Sequence, residues 1–289
     1  MAAFAEGTPC WVDVSLPDLA AGRRFYGELF GWTFGGDSVG AYGRCTEAFS
    51  DGQRVAGLVA KRDGRMPTVW GVYFATADAV ALSRRITDAG GRLVREPMAV
   101  GRSGVTALAA DPAGAVFGIW QGGEDTGFEK RGLPGSFCWT EVYTRDKERV
   151  DPFYESVFGF RGTDVPDDSV DFRLWSPAGT EPGPDSAVGG RSVITDAFPV
   201  EMPGHFLSYF SVADCDRTAA AVVRLGGRIT ATPFDIAYGR MAVVVDNQGA
   251  SFAVLAEPKS GSHTVSEPLS ESWSAELPEQ RPTPGPEKR

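Results

Sequence analysis

Hydrophobic and polar positions alternate along the chain in blocks that predict a repeated succession of strands and helices. Residues 10–16 follow the two-residue period of a half-buried strand. Asp18 then starts a segment whose apolar residues recur at helical spacing, and Gly31 ends it. Strand-like runs follow near 42–49 and 54–61. This part of the chain therefore predicts one helix that follows a first strand and precedes further strands.

The same order of elements restarts at residue 69. A strand is predicted over 69–75 and a helix over 79–89, closed by two glycines, and strands are predicted near 92–96, 105–110 and 115–121. The scheme is βαβββ, and the chain contains it four times.

The second half of the chain repeats the first. Residues 9–32 align with 137–160, residues 72–97 with 208–233, and residues 111–120 with 246–255. Three correspondences in the same order indicate a tandem duplication. The predicted organisation is a first domain at 8–122, a Gly- and charge-rich linker at 123–135, a second domain at 136–257 and a disordered, Pro- and Ser-rich tail at 258–289.

Composition and charge exclude several classes of partner. The net charge is −10, with no visible basic patch, so nucleic acid is not an expected partner. No run of eighteen apolar residues predicts a membrane span, and the N-terminus has no secretory pattern. The four cysteines form no CxxC pair, which favours reduced thiols and a cytoplasmic protein.

The four βαβββ units, the helix segments FYGELFGW and FYESVFGF and the closing segment DPAGAVFGIW together resemble the vicinal oxygen chelate superfamily. This superfamily includes glyoxalase I, extradiol dioxygenases and bleomycin resistance proteins. The resemblance implies an α+β fold in which paired units curl mixed sheets into cups that bind the ligand. It is strongest to two-domain actinobacterial members, some of which accompany aromatic polyketide (anthracycline) biosynthesis.

The resemblance also implies where a metal would be held. In this superfamily, His or Gln on the first strand of a unit and Glu on its last strand bind one divalent ion. The matching positions here are Trp11, Trp139, about 71–72, about 207–208, Gly118, Ala253, Gly57 and Gly190. None carries His, Glu, Asp or Cys, so we expect neither a metal nor another cofactor.

The residues in place of these ligands suggest a site for a planar organic molecule. Alternation along the first strand of each half puts Trp11, Asp13 and Ser15 on one face, and Trp139, Glu141 and Tyr143 on its counterpart. An indole offers a stacking surface. We therefore predict Trp11, Trp139, Tyr143 and Ser15 as ligand-binding residues; the alternative is that the two tryptophans only fill the cups as core aromatics.

Asp13 and Glu141 are the candidates for acid–base catalysis. A carboxyl group inside an apolar cup has a raised pKa and can exchange protons near neutrality. Alternatively, each caps a backbone amide or pairs with an arginine such as Arg44 or Arg173. His205, the histidine that falls within the predicted domains, is either a general base or a partly exposed strand-end residue.

Three functions remain open from the sequence. The first is metal-independent binding, with possible tailoring, of an aromatic natural product in antibiotic biosynthesis or self-resistance. The second is a superfamily enzyme, either a glyoxalase-type lyase with a non-standard site or an acid–base catalyst. The third is an accessory protein for a tailoring oxygenase, with the tail as docking segment. Because two fused domains already pair, we expect a monomer.

Overall fold

The strands of the protein form two mixed sheets, one in each half of the chain. The structure, a computed structural model, describes residues 4–40, 43–166, 170–196 and 198–258. The first sheet contains β1 (Pro9–Leu16), β2 (Thr33–Phe34), β3 (Ser38–Gly40), β4 (Gly43–Ser50), β5 (Gln53–Ala60), β6 (Trp70–Ala75), β7 (Arg92–Val100), β8 (Gly104–Ala110) and β9 (Val116–Gly122). The second contains β10 (Ser136–Thr144), β11 (Arg161–Val165), β12 (Phe172–Ser176), β13 (Gly189–Val193), β14 (His205–Ser211), β15 (Arg228–Ile236), β16 (Gly239–Val245) and β17 (Ser251–Ala256).

Four helices complete four βαβββ units. They are α1 (Leu19–Phe30), α2 (Ala79–Asp88), α3 (Lys147–Phe158) and α4 (Cys215–Arg224), and a short 3-10 helix spans Pro184–Ser186. Each of the four begins after an aspartate whose carboxylate accepts one or two backbone N–H groups of the first turn, which lack partners within the helix. The predicted α+β fold of four units in cupped mixed sheets is confirmed. The sequence pattern gave ranges for only two strands after α1, and the structure adds the short β2 and β3.

Both sheets have the same strand order around an antiparallel centre. In the first sheet the order is β2-β4-β5-β1-β6-β9-β8-β7, with β3 against β4; in the second it is β11-β12-β13-β10-β14-β17-β16-β15. The central pairs are β1 with β6 and β10 with β14, and each central strand has a parallel neighbour on its other side. Successive units therefore pair within each half of the chain.

Alternate residues of the central strands divide the sheets into two faces. Val12, Val14 and Leu16 are fully buried, whereas Trp11 and Asp13 between them are partly exposed. We call the face with Trp11 and Asp13, and its counterpart with Trp139 and Glu141, the cup face, and the opposite face the back face. The register thus confirms the predicted alternation in β1.

The back faces of the two sheets share one hydrophobic core. A single cluster of buried side chains draws on both halves of the chain. At its centre the rings of Trp70 in β6 and Phe210 in β14 lie 4.7 Å apart. Phe74 and Phe206, from the same two strands, lie 5.7 Å apart. The halves are therefore joined by buried apolar surface, the main favourable contribution to folding.

Two reciprocal hydrogen bonds cross this core. The Tyr26 hydroxyl in α1 donates to Asp246 Oδ2 at 2.7 Å, and the Tyr154 hydroxyl in α3 donates to Asp111 Oδ2 at 3.2 Å. The other oxygen of each aspartate accepts two backbone N–H groups of its own turn. The FY segments of α1 and α3 and the DPAG and DNQG turns therefore connect the two halves.

The tail predicted over 258–289 lies outside the described residues except for Pro258. Within the described part of the chain, no helix is long and apolar enough to cross a membrane. All four cysteines are free.

We expect Tyr26→Phe and Tyr154→Phe each to lower the free energy of unfolding by about 1–3 kcal/mol, because each leaves a buried aspartate without one donor. Urea unfolding at neutral pH measures the change. Tyr238→Phe, at an exposed tyrosine, is the matched control and should have no effect. Unchanged stability in both core variants would contradict the proposed role of these bonds.

Candidate functional site

The first sheet encloses a cavity of about 420 Å³ on its cup face. Side chains from strands across the sheet line it, together with the turn at 100–103 and residues that follow β9. The lining side chains include Trp11, Asp13, Cys45, Glu47, Val59, Tyr73, Thr106, Trp120 and Asp125. We call this space the first-cup cavity. It has the size and the largely apolar, aromatic lining that are typical of small-molecule sites.

Asp13 supplies a carboxyl group to the cavity wall. It pairs across the sheet with Gly57 on one side and Gly71 on the other, so both neighbours lack side chains. Its Oδ2 accepts a hydrogen bond from the Tyr73 hydroxyl at 2.8 Å. No described residue donates a hydrogen bond to Oδ1. Burial raises the pKa of Asp13 to about 7, and the Tyr73 hydrogen bond offsets only part of this shift.

Trp11 lies near Asp13 on the cup face of β1 and also lines the cavity. Its ring is 5.7 Å from Phe128, which stacks on Phe137 of β10 at 5.1 Å. A Cβ on Gly57 would be 3.5 Å from Trp11 Nε1. Among the described residues, Nε1 of Trp11 has no acceptor. The indole therefore combines an aromatic surface with an N–H donor that no described residue engages.

The segment predicted as a linker forms part of the cavity wall. Asp125 and Gly127 line the cavity, and the Asp125 carbonyl accepts the Trp120 indole N–H at 3.0 Å. Arg54 in β5 forms ion pairs with Asp125 at 2.9 Å and Glu129 at 3.2 Å. Gly127 has φ +105°, and a Cβ there would lie 2.2 Å from a backbone oxygen of β1. The segment is thus fixed against the edge of the cup.

The superfamily's metal positions do not suit a divalent ion in this chain. The register brings Trp11, Tyr73 and Gly118 into one row, so the first-strand position of the second unit is Tyr73, beyond the 71–72 expected from sequence. The Tyr73 ring occupies the space above Gly118, where a Cβ would lie 2.1 Å from it. The described residues contain no group of three or more His, Cys, Asp or Glu side chains that could hold a metal. Each cup has one carboxylate among the predicted site residues. Glu47 and Asp125 also line the first-cup cavity, where Arg54 forms ion pairs with both.

In the second cup, the carboxylate has its hydrogen bonds satisfied within the protein. Glu141 accepts hydrogen bonds from Trp139 Nε1 at 3.0 Å, the Tyr209 hydroxyl at 2.9 Å and the Ser192 hydroxyl at 3.2 Å. Its pKa is raised because burial outweighs these bonds. Tyr143 lies close by, with its hydroxyl 3.5 Å from that of Tyr209.

Larger side chains occupy the second cup at positions equivalent to cavity-side positions of the first. From the strand registers, four positions of the first sheet can be matched to their equivalents in the second. Ser15 is equivalent to Tyr143, Cys45 to Phe172, Gly71 to Leu207 and Thr106 to Met241. Phe172 approaches within 2.6 Å of where a Cβ on Gly190 would lie. Leu207, Tyr209, Met241 and Ala253 form a buried cluster against which Trp139 and Tyr143 pack. The second cup is therefore filled largely by its own side chains.

The structure places the remaining candidates away from the cavity. Ser15 is partly exposed but is not among the residues that line the cavity. His205 stacks on Tyr143 with ring centroids 5.3 Å apart, and its Nδ1 lies 2.9 Å from the Pro203 carbonyl. Burial lowers the pKa of His205, so it favours the neutral form. Of the predicted site residues, Trp11 and Asp13 are brought together in the first cavity.

The sequence reasoning missed Tyr73, Tyr209 and Trp120. Tyr73 and Tyr209 are equivalent in the repeat that aligns 72–97 with 208–233. Their recurrence next to the strand that carries a tryptophan and a carboxylate was the available signal. Trp120 closes the DPAGAVFGIW segment, whose equivalent ends in Leu255. That difference between the halves points to the cup that retains a cavity.

The fold and the repeat identify the class of protein. The model of the Glyoxalase/Bleomycin resistance protein/Dioxygenase superfamily matches residues 11–119 and 137–254. The chain therefore belongs to this family and contains two tandem copies of its domain. It is also similar in fold to the Mn(II)-bound glyoxalase from Novosphingobium aromaticivorans, with a TM-score of 0.60 and 16% identity over 90% of this chain and 86% of that one.

Relatives in sequence extend across both domains. The chain is 36% identical over 269 residues to the anthracycline biosynthesis protein DauV of Streptomyces sp. (strain C5), covering 88% of this chain and 95% of that protein. It is 32% identical to the putative glyoxylase CFP32 of Mycobacterium tuberculosis, covering 87% and 95%. The match therefore includes both cups and the segment between them.

The pKa of Asp13 gives a test of its environment. Between about pH 4 and pH 7 the folded state holds a proton that the unfolded state releases, so this group makes the protein less stable as the pH rises. We expect the difference in unfolding free energy between Asp13→Asn and the native protein to change with pH. From pH 4 to pH 8 it should shift by about 2–4 kcal/mol in favour of the variant. Urea unfolding at both pH values, with the exposed Asp88→Asn as control, measures it. A difference that does not change with pH would show that Asp13 titrates as an ordinary carboxyl.

Proposed function

We propose that the protein binds a polycyclic aromatic natural product in the first-cup cavity, without a metal, as a step in antibiotic biosynthesis or self-protection. The observation that carries this proposal is the first-cup cavity itself, where Trp11, Tyr73 and Trp120 line the wall around the Asp13 carboxyl group. Flat aromatic walls favour flat aromatic ligands, because stacked or edge-on ring contacts add to the burial of apolar area.

The proposal of metal independence rests on the side chains at the superfamily's ligand positions. Indole, phenol and glycine stand where imidazole and carboxylate ligands are needed for a divalent ion. The same aromatic groups supply the contact surface for an organic ligand. The replacement of these ligands thus removes the metal site and provides a surface for an organic ligand.

The biological setting is inferred from the relatives. DauV is an anthracycline biosynthesis protein, and the alignment with it spans both domains. A polycyclic aromatic ligand of that class agrees with the lining of the first-cup cavity. One ligand per chain is expected, because the equivalent volume in the second cup is occupied by Phe172, Leu207 and Met241.

A titration of chelator-treated protein with an anthracycline aglycone tests this function. We expect saturable quenching of tryptophan fluorescence at micromolar ligand with a stoichiometry of one. Trp11→Phe should weaken binding roughly tenfold, equivalent to about 1.4 kcal/mol of lost contact. The matched variant Trp139→Phe should change the dissociation constant less than twofold. Binding that appears only after zinc or nickel is restored would instead favour a lyase with a non-standard metal site.

Acid–base tailoring of the bound compound is a second candidate, favoured by the raised pKa of Asp13. A carboxyl group that titrates near pH 7 can remove and return a proton at a carbon next to a carbonyl. Mass spectrometry in deuterium oxide would detect protein-dependent exchange at such a carbon of a keto-bearing polyketide. Asp13→Asn should abolish the exchange and Glu141→Gln should leave it intact. Exchange at the background rate with the native protein would leave binding alone as the function.

A further inference from the structure

The two halves of the chain differ in how the cup tryptophan and the cup carboxylate are related. In the second cup, Trp139 Nε1 donates directly to Glu141 Oε1 at 3.0 Å. In the first cup, the equivalent Trp11 Nε1 has no acceptor among the described residues, and Asp13 Oδ1 has no donor among them. The tryptophan N–H and the carboxylate thus form a direct hydrogen bond in the second cup, whereas in the first cup they do not bond to each other.

The length of the acidic side chain explains the difference. Aspartate is one methylene shorter than glutamate, so its carboxylate stays about 1.5 Å nearer the backbone. Tyr73 also holds Oδ2 of Asp13 at 2.8 Å, which leaves Oδ1 for another partner. The glycines on both sides of Asp13 keep this oxygen accessible, whereas Leu207 stands at the position of Gly71 in the second cup.

Unpaired polar groups in an apolar site have a chemical consequence. A donor or acceptor that is desolvated without a partner costs roughly 1–3 kcal/mol. Any ligand that covers Trp11 and Asp13 removes both groups from solvent. It must therefore form hydrogen bonds with them or lose affinity.

We propose that the first cup selects aromatic ligands with a hydrogen-bond donor and an acceptor side by side on one edge, such as adjacent oxygens of a hydroxylated ring, which bridge Trp11 and Asp13. The ligand hydroxyl donates to Asp13 Oδ1, and the neighbouring oxygen accepts the indole N–H of Trp11. The ligand edge thereby takes the place of the direct contact between Trp139 and Glu141 in the second cup. This inference rests on the proposed function, since it names the substrate class of the same cavity.

Two planar probes separate edge recognition from stacking alone. 1,2-Dihydroxyanthraquinone carries adjacent ring oxygens with donor hydrogens, and 9,10-anthraquinone has the same ring system without them. We expect the dihydroxy compound to bind the native protein at least roughly tenfold more tightly, because only it satisfies both groups. The unsubstituted compound is the smaller of the two, so weaker binding has no steric cause.

The matched variants are Asp13→Glu and Glu141→Asp. Asp13→Glu keeps the charge but lets the carboxylate reach Trp11, so the affinity for the dihydroxy compound should fall roughly tenfold. Glu141→Asp shortens the carboxylate of the second cup and should leave the affinity unchanged. In the native protein, the indole N–H resonance of Trp11 should shift when the ligand binds. In the Asp13→Glu variant without ligand, the same resonance should already lie closer to that of Trp139.

The outcomes distinguish this inference from the proposed function. Equal, saturable binding of both probes would overturn edge recognition while leaving aromatic binding in place. Full affinity in Asp13→Glu, with its indole resonance displaced, would also overturn it. If neither probe nor the anthracycline aglycone binds the native protein, the proposed function fails as well.

Discussion

The architecture depends on two buried aspartates, each of which forms hydrogen bonds with both halves of the protein. Asp111 and Asp246 each close their own turn through one oxygen and accept a tyrosine hydroxyl from the other half through the second. A buried carboxylate is costly unless its hydrogen bonds are made, so docking of the opposite helix stabilises each turn. The surrounding aromatic core adds apolar burial to this requirement. Folding of one half is consequently tied to folding of the other.

The back faces form the hydrophobic core that joins the two halves. The side chains of the cup faces can therefore differ between the halves. In the first half, small residues around Asp13 preserve a cavity, whereas large residues fill the same region in the second half. The contrast requires no change in fold, since strand order and register are the same in both sheets. The two halves thus share one fold, but the first cup keeps a cavity and the second is packed with side chains.

Much of the fold followed from the sequence. The two-residue and helical periods located the main strands and helices within a few residues, and the internal repeat indicated four equivalent units. The side-chain faces of β1 followed from alternation alone. The short β2 and β3 were not predicted, because two or three residues are too few to establish a period.

The candidate site was predicted only in part, because it depends on contacts between distant strands. Trp11 and Asp13 came from one strand and were identified as neighbours. Tyr73 was missed because its position beside Trp11 is set by the pairing of β1 with β6, which periodicity along the chain does not reveal. The filling of the second cup by Phe172 and Met241 was equally hidden, since those residues come from strands outside the aligned segments. Their positions become equivalent to Cys45 and Thr106 only through pairing across the sheet.

The segment that joins the two domains has a consequence for how this chain can evolve. Its Asp125 and Gly127 form part of the cavity wall, and its Phe128 packs between Trp11 of one domain and Phe137 of the other. A recombination event that exchanged one domain at this junction would replace part of the cavity wall and the ring that packs against the Trp11 indole. The segment between the domains is therefore part of the first domain's cavity as well as a connection to the second, so the two domains are not independent modules.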